Sequence, residues 1–116
     1  MENKQPCSTT GKGRERDVIF DRLLEDAGLP LPEAEFRFAP PRRWRIDWSW
    51  LDPYWVALEV EGGLWIQGRH NRASGFMRDI EKYNELSAKG WRLIRCTPKD
   101  LYHHKTIDLI RRTLEF

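Results

Sequence analysis

Apolar residues change their spacing from one part of this chain to the next, and those changes lay out its elements. Phe20, Leu23, Leu24 and Ala27 recur at i, i+3, i+4 and i+7, one helical stripe in a segment that begins near Arg14. Gly28, followed by Leu29-Pro30, stops that helix. Glu35-Phe36-Arg37-Phe38 alternates and reads as a first strand, and Ala39-Pro40-Pro41-Arg42-Arg43 as a turn with a basic end. Two more strands follow, Arg45-Ile46-Asp47-Trp48 and Ala57-Leu58-Glu59-Val60-Glu61-Gly62-Gly63, broken apart at Leu51-Asp52-Pro53. Side chains alternate along a strand, so Ile46, Trp48 and Trp50 are expected on one face with Asp47 on the other. Val56, Leu58 and Val60 likewise share a face, with Glu59 and Glu61 opposite.

Leu64 to Gly75 is rich in Gly, Arg and Asn and reads as a long loop. Ser74 is placed to cap a helix running to about Lys89, with Phe76, Ile80, Tyr83 and Ser87 on the face that packs, and Gly90 to end it. Trp91 to Cys96 is a fourth strand, stopped by Thr97-Pro98; His103, Ile107, Ile110 and Leu114 mark a closing helix that carries Arg111-Arg112. Short links make the first three strands an antiparallel meander, and the helical crossover sets the fourth parallel to the third. The expectation is an α/β fold over residues 14–116, a mixed four-stranded sheet flanked by helices. Residues 1–13 are polar and expected to form a loose tail, with too little apolar surface to order themselves.

Composition narrows the classes of function. A chain of 116 residues supports one core of moderate size, and several of its six Trp belong inside it. No apolar run approaches the roughly 20 residues of a membrane span, and no apolar stretch near the N-terminus resembles a signal peptide. Cys7 and Cys96 stand alone, which argues against a disulfide or a structural zinc and for a reducing cytoplasm. The formal net charge of +2 is compatible with nucleic acid without requiring it.

Asp47, Glu59 and Glu61 carry three carboxylates on otherwise apolar strands expected to lie side by side. Burying an unpaired carboxylate is costly, so such a cluster holds a cation or a proton. From Gly62 to Arg78 the chain has Arg69, Arg72, Arg78 and His70 and no acid, which suits a polyanion brought close to those carboxylates; a solvated loop is the plainer reading. Asp17 and Asp21 read as an acidic helix start that complements the dipole. Asp79 and Lys82 share a helix flank as an ion pair, and His103-His104 reads as surface.

Taken together, Arg45-Ile-Asp47, Leu58-Glu59-Val60-Glu61-Gly-Gly, His70, Asp79-x-x-Lys82-Tyr-Asn84 and Gly90-Trp-Arg-Leu-Ile-Arg95 resemble the PD-(D/E)XK nuclease superfamily. Within it the chain is similar to the small stand-alone phage and bacterial proteins related to very-short-patch repair endonucleases. The resemblance implies a restriction-endonuclease-like fold and Mg²⁺-dependent hydrolysis of phosphodiester bonds in DNA, with Mn²⁺ as a substitute ion. It puts Asp47 and Glu59 at the metal, joined by the Val60 carbonyl, with Asp17 reaching the ion through water and Glu61 as a general base or second-ion ligand. Glu61 stands where the signature has lysine, and Lys82 is the candidate to supply that charge. His70 would serve near the scissile group, and Arg43, Arg45, Arg69, Asn71, Arg72 and Arg78 would contact DNA. A monomer and a homodimer that cuts both strands are both compatible with the resemblance.

Two other classes stand beside this one. A nucleic-acid-binding module with the same fold and no activity would show salt-sensitive binding without cleavage. A glycosidase needs two acids about 5 to 9.5 Å apart, which Glu59 and Glu61 on one strand could meet, but it gives no reason for the arginine-rich stretch.

Overall fold

Asp17 opens the first helix, α1 (Val18–Asp26), by accepting the Phe20 backbone N–H at 3.0 Å, one of the donors that a helix start leaves open. The computed structural model describes residues 16–61 and 68–115, and excludes the side chains of residues 68–76 and 78. After α1 come β1 (Glu33–Arg37), β2 (Arg45–Trp50), β3 (Val56–Val60), α2 (Gly68–Ala88), β4 (Arg92–Cys96) and α3 (His104–Leu114). The strands form one sheet in the order β1-β2-β3-β4. The first two pairings are antiparallel and β3/β4 is parallel, the mixed sheet expected of a meander plus a helical crossover.

Each face of the sheet buries its own core. Phe20 and Leu24 of α1 with Ile107, Ile110 and Leu114 of α3 pack on Trp48, Trp50, Val56, Leu58 and Ile94. On the other face Leu86 of α2 meets Ile46, Ala57, Phe38 and Trp91. The structure is therefore α/β, a four-stranded mixed sheet between three helices. Among the described residues no helix is long and apolar enough to cross a membrane.

Two glycines end helices by the same device. Gly28 and Gly90 have φ of 75° and 88°, a left-handed conformation that costs other residues energy. The next residue then bonds back across the turn: Leu29 N–H donates to Leu24 O at 2.9 Å, and Trp91 N–H to Leu86 O at 3.1 Å. In each case the two residues also share a hydrophobic core, as that motif favours. A Cβ at Gly90 would meet no atom within 4 Å, so Gly90→Ala has a conformational cost alone. It should destabilise the fold by about 1–2 kcal/mol, read as a lower denaturant midpoint at unchanged slope.

Several local expectations shift. The first strand begins at Glu33, immediately after Pro32, and ends at Arg37, one residue before the buried Phe38. Gly68 to Gly75, expected as loop, is the first two turns of α2, so Ser74 lies inside the helix and not at its start. Weak apolar periodicity in that stretch gave no sign of the helix. His103 is not on the packed face of α3; it is the N-cap, and its Nδ1 accepts the Lys105 N–H at 3.1 Å.

Candidate active site

The β2/β3 ladder pairs Trp50 with Val56, Ser49 with Ala57 and Trp48 with Leu58, and there it stops. One step further, side chains replace carbonyls as acceptors. Val60 N–H donates to Asp47 Oδ2 at 2.7 Å, and Asp47 N–H donates to Glu59 Oε2 at 3.1 Å. The two carboxylates are thereby drawn into the gap where the strands part.

The opening has a visible cause in the neighbouring pair. Ala34↔Trp48 and Phe36↔Ile46 set Glu35 beside Asp47, and Glu35 has φ of 55°. That conformation costs a non-glycine residue about 1–2 kcal/mol. It turns β1 over: Ala34 packs in the α1/α3 core, whereas Phe36 packs toward α2. β2 turns over with it. Ile46 lies in the α2-side core and not with Trp48 and Trp50 as simple alternation requires. The flip at Glu35 and Asp47 leaves Asp47 between two faces, at the edge of the gap.

Glu59 is the buried member of the pair, only 7% exposed. Its Oε1 accepts from Lys82 Nζ at 3.0 Å and lies 3.4 Å from Tyr83 Oη. Burial pushes its pKa above the ordinary carboxylate value; Lys82 pulls it down and the Asp47 charge pushes it up again. Tyr83 Oη is also 3.3 Å from Glu61 Oε2, and with a single proton it donates to one acid at a time. Burial first, then Glu59 and Glu61, raise the phenol pKa, so Tyr83 is a hydrogen-bond donor and not a phenolate. Glu61 in turn accepts from Arg95 Nε at 2.9 Å. Cys96, near the same acids, has its thiol pushed up to about 11, chiefly by burial and then by Asp100, Asp47 and Glu61. It is no nucleophile at neutral pH.

The helix that brings Lys82 is docked against its own apolar pattern. Ile80, expected against the sheet, is 41% exposed, and Met77 is 62% exposed. Ser87 is exposed too, while Leu86 is buried and Asp79, Lys82 and Tyr83 are half-buried. Positions 79, 82, 83 and 86 share one helix face, so α2 turns a mixed face to the sheet, with Leu86 and Tyr83 in the apolar core beside Asp79 and Lys82, and leaves Ile80 and Met77 outside. The same face brings Lys82 and Tyr83 to the acids.

The other candidates have different surroundings. Both Asp17 oxygens are engaged, Oδ1 by Phe20 N–H and Oδ2 by the Tyr102 hydroxyl at 2.6 Å. Lys82, whose plainer partner was Asp79, pairs with Glu59. Among the described residues no group of three or more His, Cys, Asp or Glu is placed to hold a metal ion. The expected set of Asp47, Glu59, Glu61 and Asp17 thus has its closest association in Asp47 and Glu59. Arg45 approaches Glu35 at 3.7 Å and Arg43 is exposed. Side chains of Arg69, His70, Asn71, Arg72 and Arg78 lie outside the described residues. Two residues of the cluster, Tyr83 and Arg95, were not expected there. Arg95 sits across from Glu59 in the β3/β4 register, a pairing that only the order of strands reveals. No family model, curated protein or solved structure matches the chain.

Proposed function

We propose that the chain is a metal-dependent nuclease of PD-(D/E)XK type with a restriction-endonuclease-like fold, hydrolysing phosphodiester bonds in DNA. The observation that carries this reading is the meeting of Asp47 and Glu59 in the β2/β3 gap with Lys82 seated on Glu59 from another element. Lysine is missing two residues beyond Glu59 on β3, and α2 delivers the same charge to the same carboxylate.

The donor set fits Mg²⁺ or Mn²⁺. Mg²⁺ is held by one or two carboxylates and keeps its waters, so Asp47 and Glu59 suffice without a third acid. The Lys82 ammonium, 3.0 Å from Glu59, marks the place as one that draws positive charge. An ion held there by Asp47 and Glu59 would supply Lewis-acid polarisation of the scissile phosphate and a water of lowered pKa. Asp47 and Glu59 hold and orient it, anchored by backbone N–H groups of the opposite strand. Lys82 offsets negative charge that develops on the phosphoryl oxygens, in surroundings dry enough to strengthen that interaction.

The test is a panel of labelled duplex, nicked, branched and single-stranded DNA, with RNA counterparts, incubated in Mg²⁺, Mn²⁺ or chelator. DNA should be cut with either ion and left intact in chelator. Single nicks fit a chain acting alone, and paired breaks fit a homodimer. Salt-sensitive binding with no cleavage of any substrate would instead make the chain a non-catalytic binding module.

A further inference from the structure

We infer that Arg95 is a phosphate-binding residue, and that Glu61 is the positioning residue that holds it at the site. This rests on the nuclease reading and names a contact that reading left open. β3 and β4 are parallel, with Glu59 and Arg95 in register, so Arg95 stands beside the acids on the edge of the same sheet. It does not lie along the surface as an unattached side chain. Glu61 Oε2 takes its Nε at 2.9 Å, and the Tyr83 ring lies 5.1 Å from its guanidinium carbon. The hydrogen bond to Glu61 is also the largest cause that raises the Arg95 pKa.

That attachment uses one of five N–H donors. With Nε committed, the two terminal nitrogens form the part of the fork that suits a phosphate, and 48% of the side chain is open to solvent. Glu61, at 19%, is the more buried partner, as expected of the group that anchors and not the one that meets substrate.

Charge points the same way. Asp79 acts on both Tyr83 and Arg95, so together with Asp47, Glu59 and Glu61 the acids of the cluster outnumber the cations Lys82 and Arg95. Lys82 is 14% accessible and held on Glu59, whereas Arg95 is 48% accessible, so Arg95 is the cation open to an incoming phosphate. Glu61 therefore does not substitute for the absent lysine as an acid. It holds a second cation, on β4, beside Tyr83 of α2 and next to the acids.

The experiment measures binding of a short labelled DNA duplex to the full chain as a function of salt. Ca²⁺ is present as a hard, oxygen-seeking cation. Arg95→Ala should reduce the slope of log K against log salt by about 0.9, the amount set by one phosphate contact, at an unchanged melting temperature. Arg95→Gln, which can still donate to Glu61, should give the same reduction; Arg95→Lys should keep the slope and lose affinity. The effect of Glu61→Gln on affinity should differ at least ~3-fold between the parent and the Arg95→Ala background, since the two residues act as one unit. Parent-like slopes in both Arg95→Ala and Arg95→Gln overturn the phosphate contact. Equal effects of Glu61→Gln in the two backgrounds overturn the positioning role. A parent chain that binds no DNA at any salt overturns the nuclease reading and this inference with it; the other failures leave that reading standing.

Discussion

Asp47→Asn should reduce cation-dependent cleavage by at least ~1000-fold and leave the fold intact. The expected size follows from several kcal/mol of charge stabilisation by the metal, at about 1.4 kcal/mol for each factor of ten. The expected stability follows from the local geometry. Asp47 Oδ2 accepts from Val60 N–H, and the amide oxygen of Asn accepts the same bond. The Asp47 charge also helps to raise the Glu59 pKa, so its removal relieves repulsion and lets Glu59 titrate lower. Melting temperature should stay level or rise while Mg²⁺ binding, followed by calorimetry, is lost. Glu59→Gln is a less clean test. Both Glu59 oxygens accept, from Asp47 N–H and Lys82 Nζ, and a glutamine offers only one acceptor, so an NH₂ group must face another donor. That variant should lose stability as well as activity. Asp47→Asn retaining near-parental cleavage would mean the site has been assigned to the wrong residues.

The element order and the mixed sheet were legible from periodicity because most elements obey it. Phe20 and Leu24 on α1 pack as their spacing predicts, as do Ile107, Ile110 and Leu114 on α3, and Gly28 and Gly90 end their helices. The misreadings gather around the cluster of acids. Ile46 changes face because β1 and β2 turn over together at Glu35 and Asp47, and no local pattern announces a positive φ at a glutamate. Ile80 lies outside because α2 docks through Leu86 and Tyr83, with Lys82 reaching Glu59 from the same face. A sequence rule that assigns apolar residues to the interior fails where ionic contacts set the orientation. Asp47, Glu59 and Lys82 could still be picked out, since charged residues on apolar strands and on a helix flank stand apart from their surroundings. Arg95 was not, because the parallel pairing of β3 with β4 was expected but the register that sets Arg95 beside Glu59 and Glu61 is not written in the apolar pattern.

Lys82→Met should lower turnover at least ~100-fold with little change in DNA affinity, the pattern of a group that acts mainly in the transition state. Methionine keeps much of the length and apolar stem and removes the charge. The ordinary alternative is a structural ion pair, and exposed pairs contribute about 0–1 kcal/mol. This pair is not exposed: its side chains are 14% and 9% accessible. Loss of Lys82 therefore leaves a buried carboxylate without its cation, and stability has to respond whatever the catalytic role. The direction of that response can be worked out. Lys82 lowers the Glu59 pKa, so its removal moves that pKa further above the ordinary carboxylate value. A carboxyl group with a raised folded-state pKa favours folding while protonated, and that contribution is lost as pH rises through the folded pKa. The variant should thus be most destabilised relative to the parent near neutral pH, and the difference should shrink as pH falls into the range where Glu59 takes up its proton. Adding Glu59→Gln to Lys82→Met removes the buried charge and should recover stability without recovering cleavage. Turnover near the parental rate in Lys82→Met, with the pH-dependent stability loss still present, would assign Lys82 to structure alone and leave catalysis to the carboxylates, the cation and Arg95.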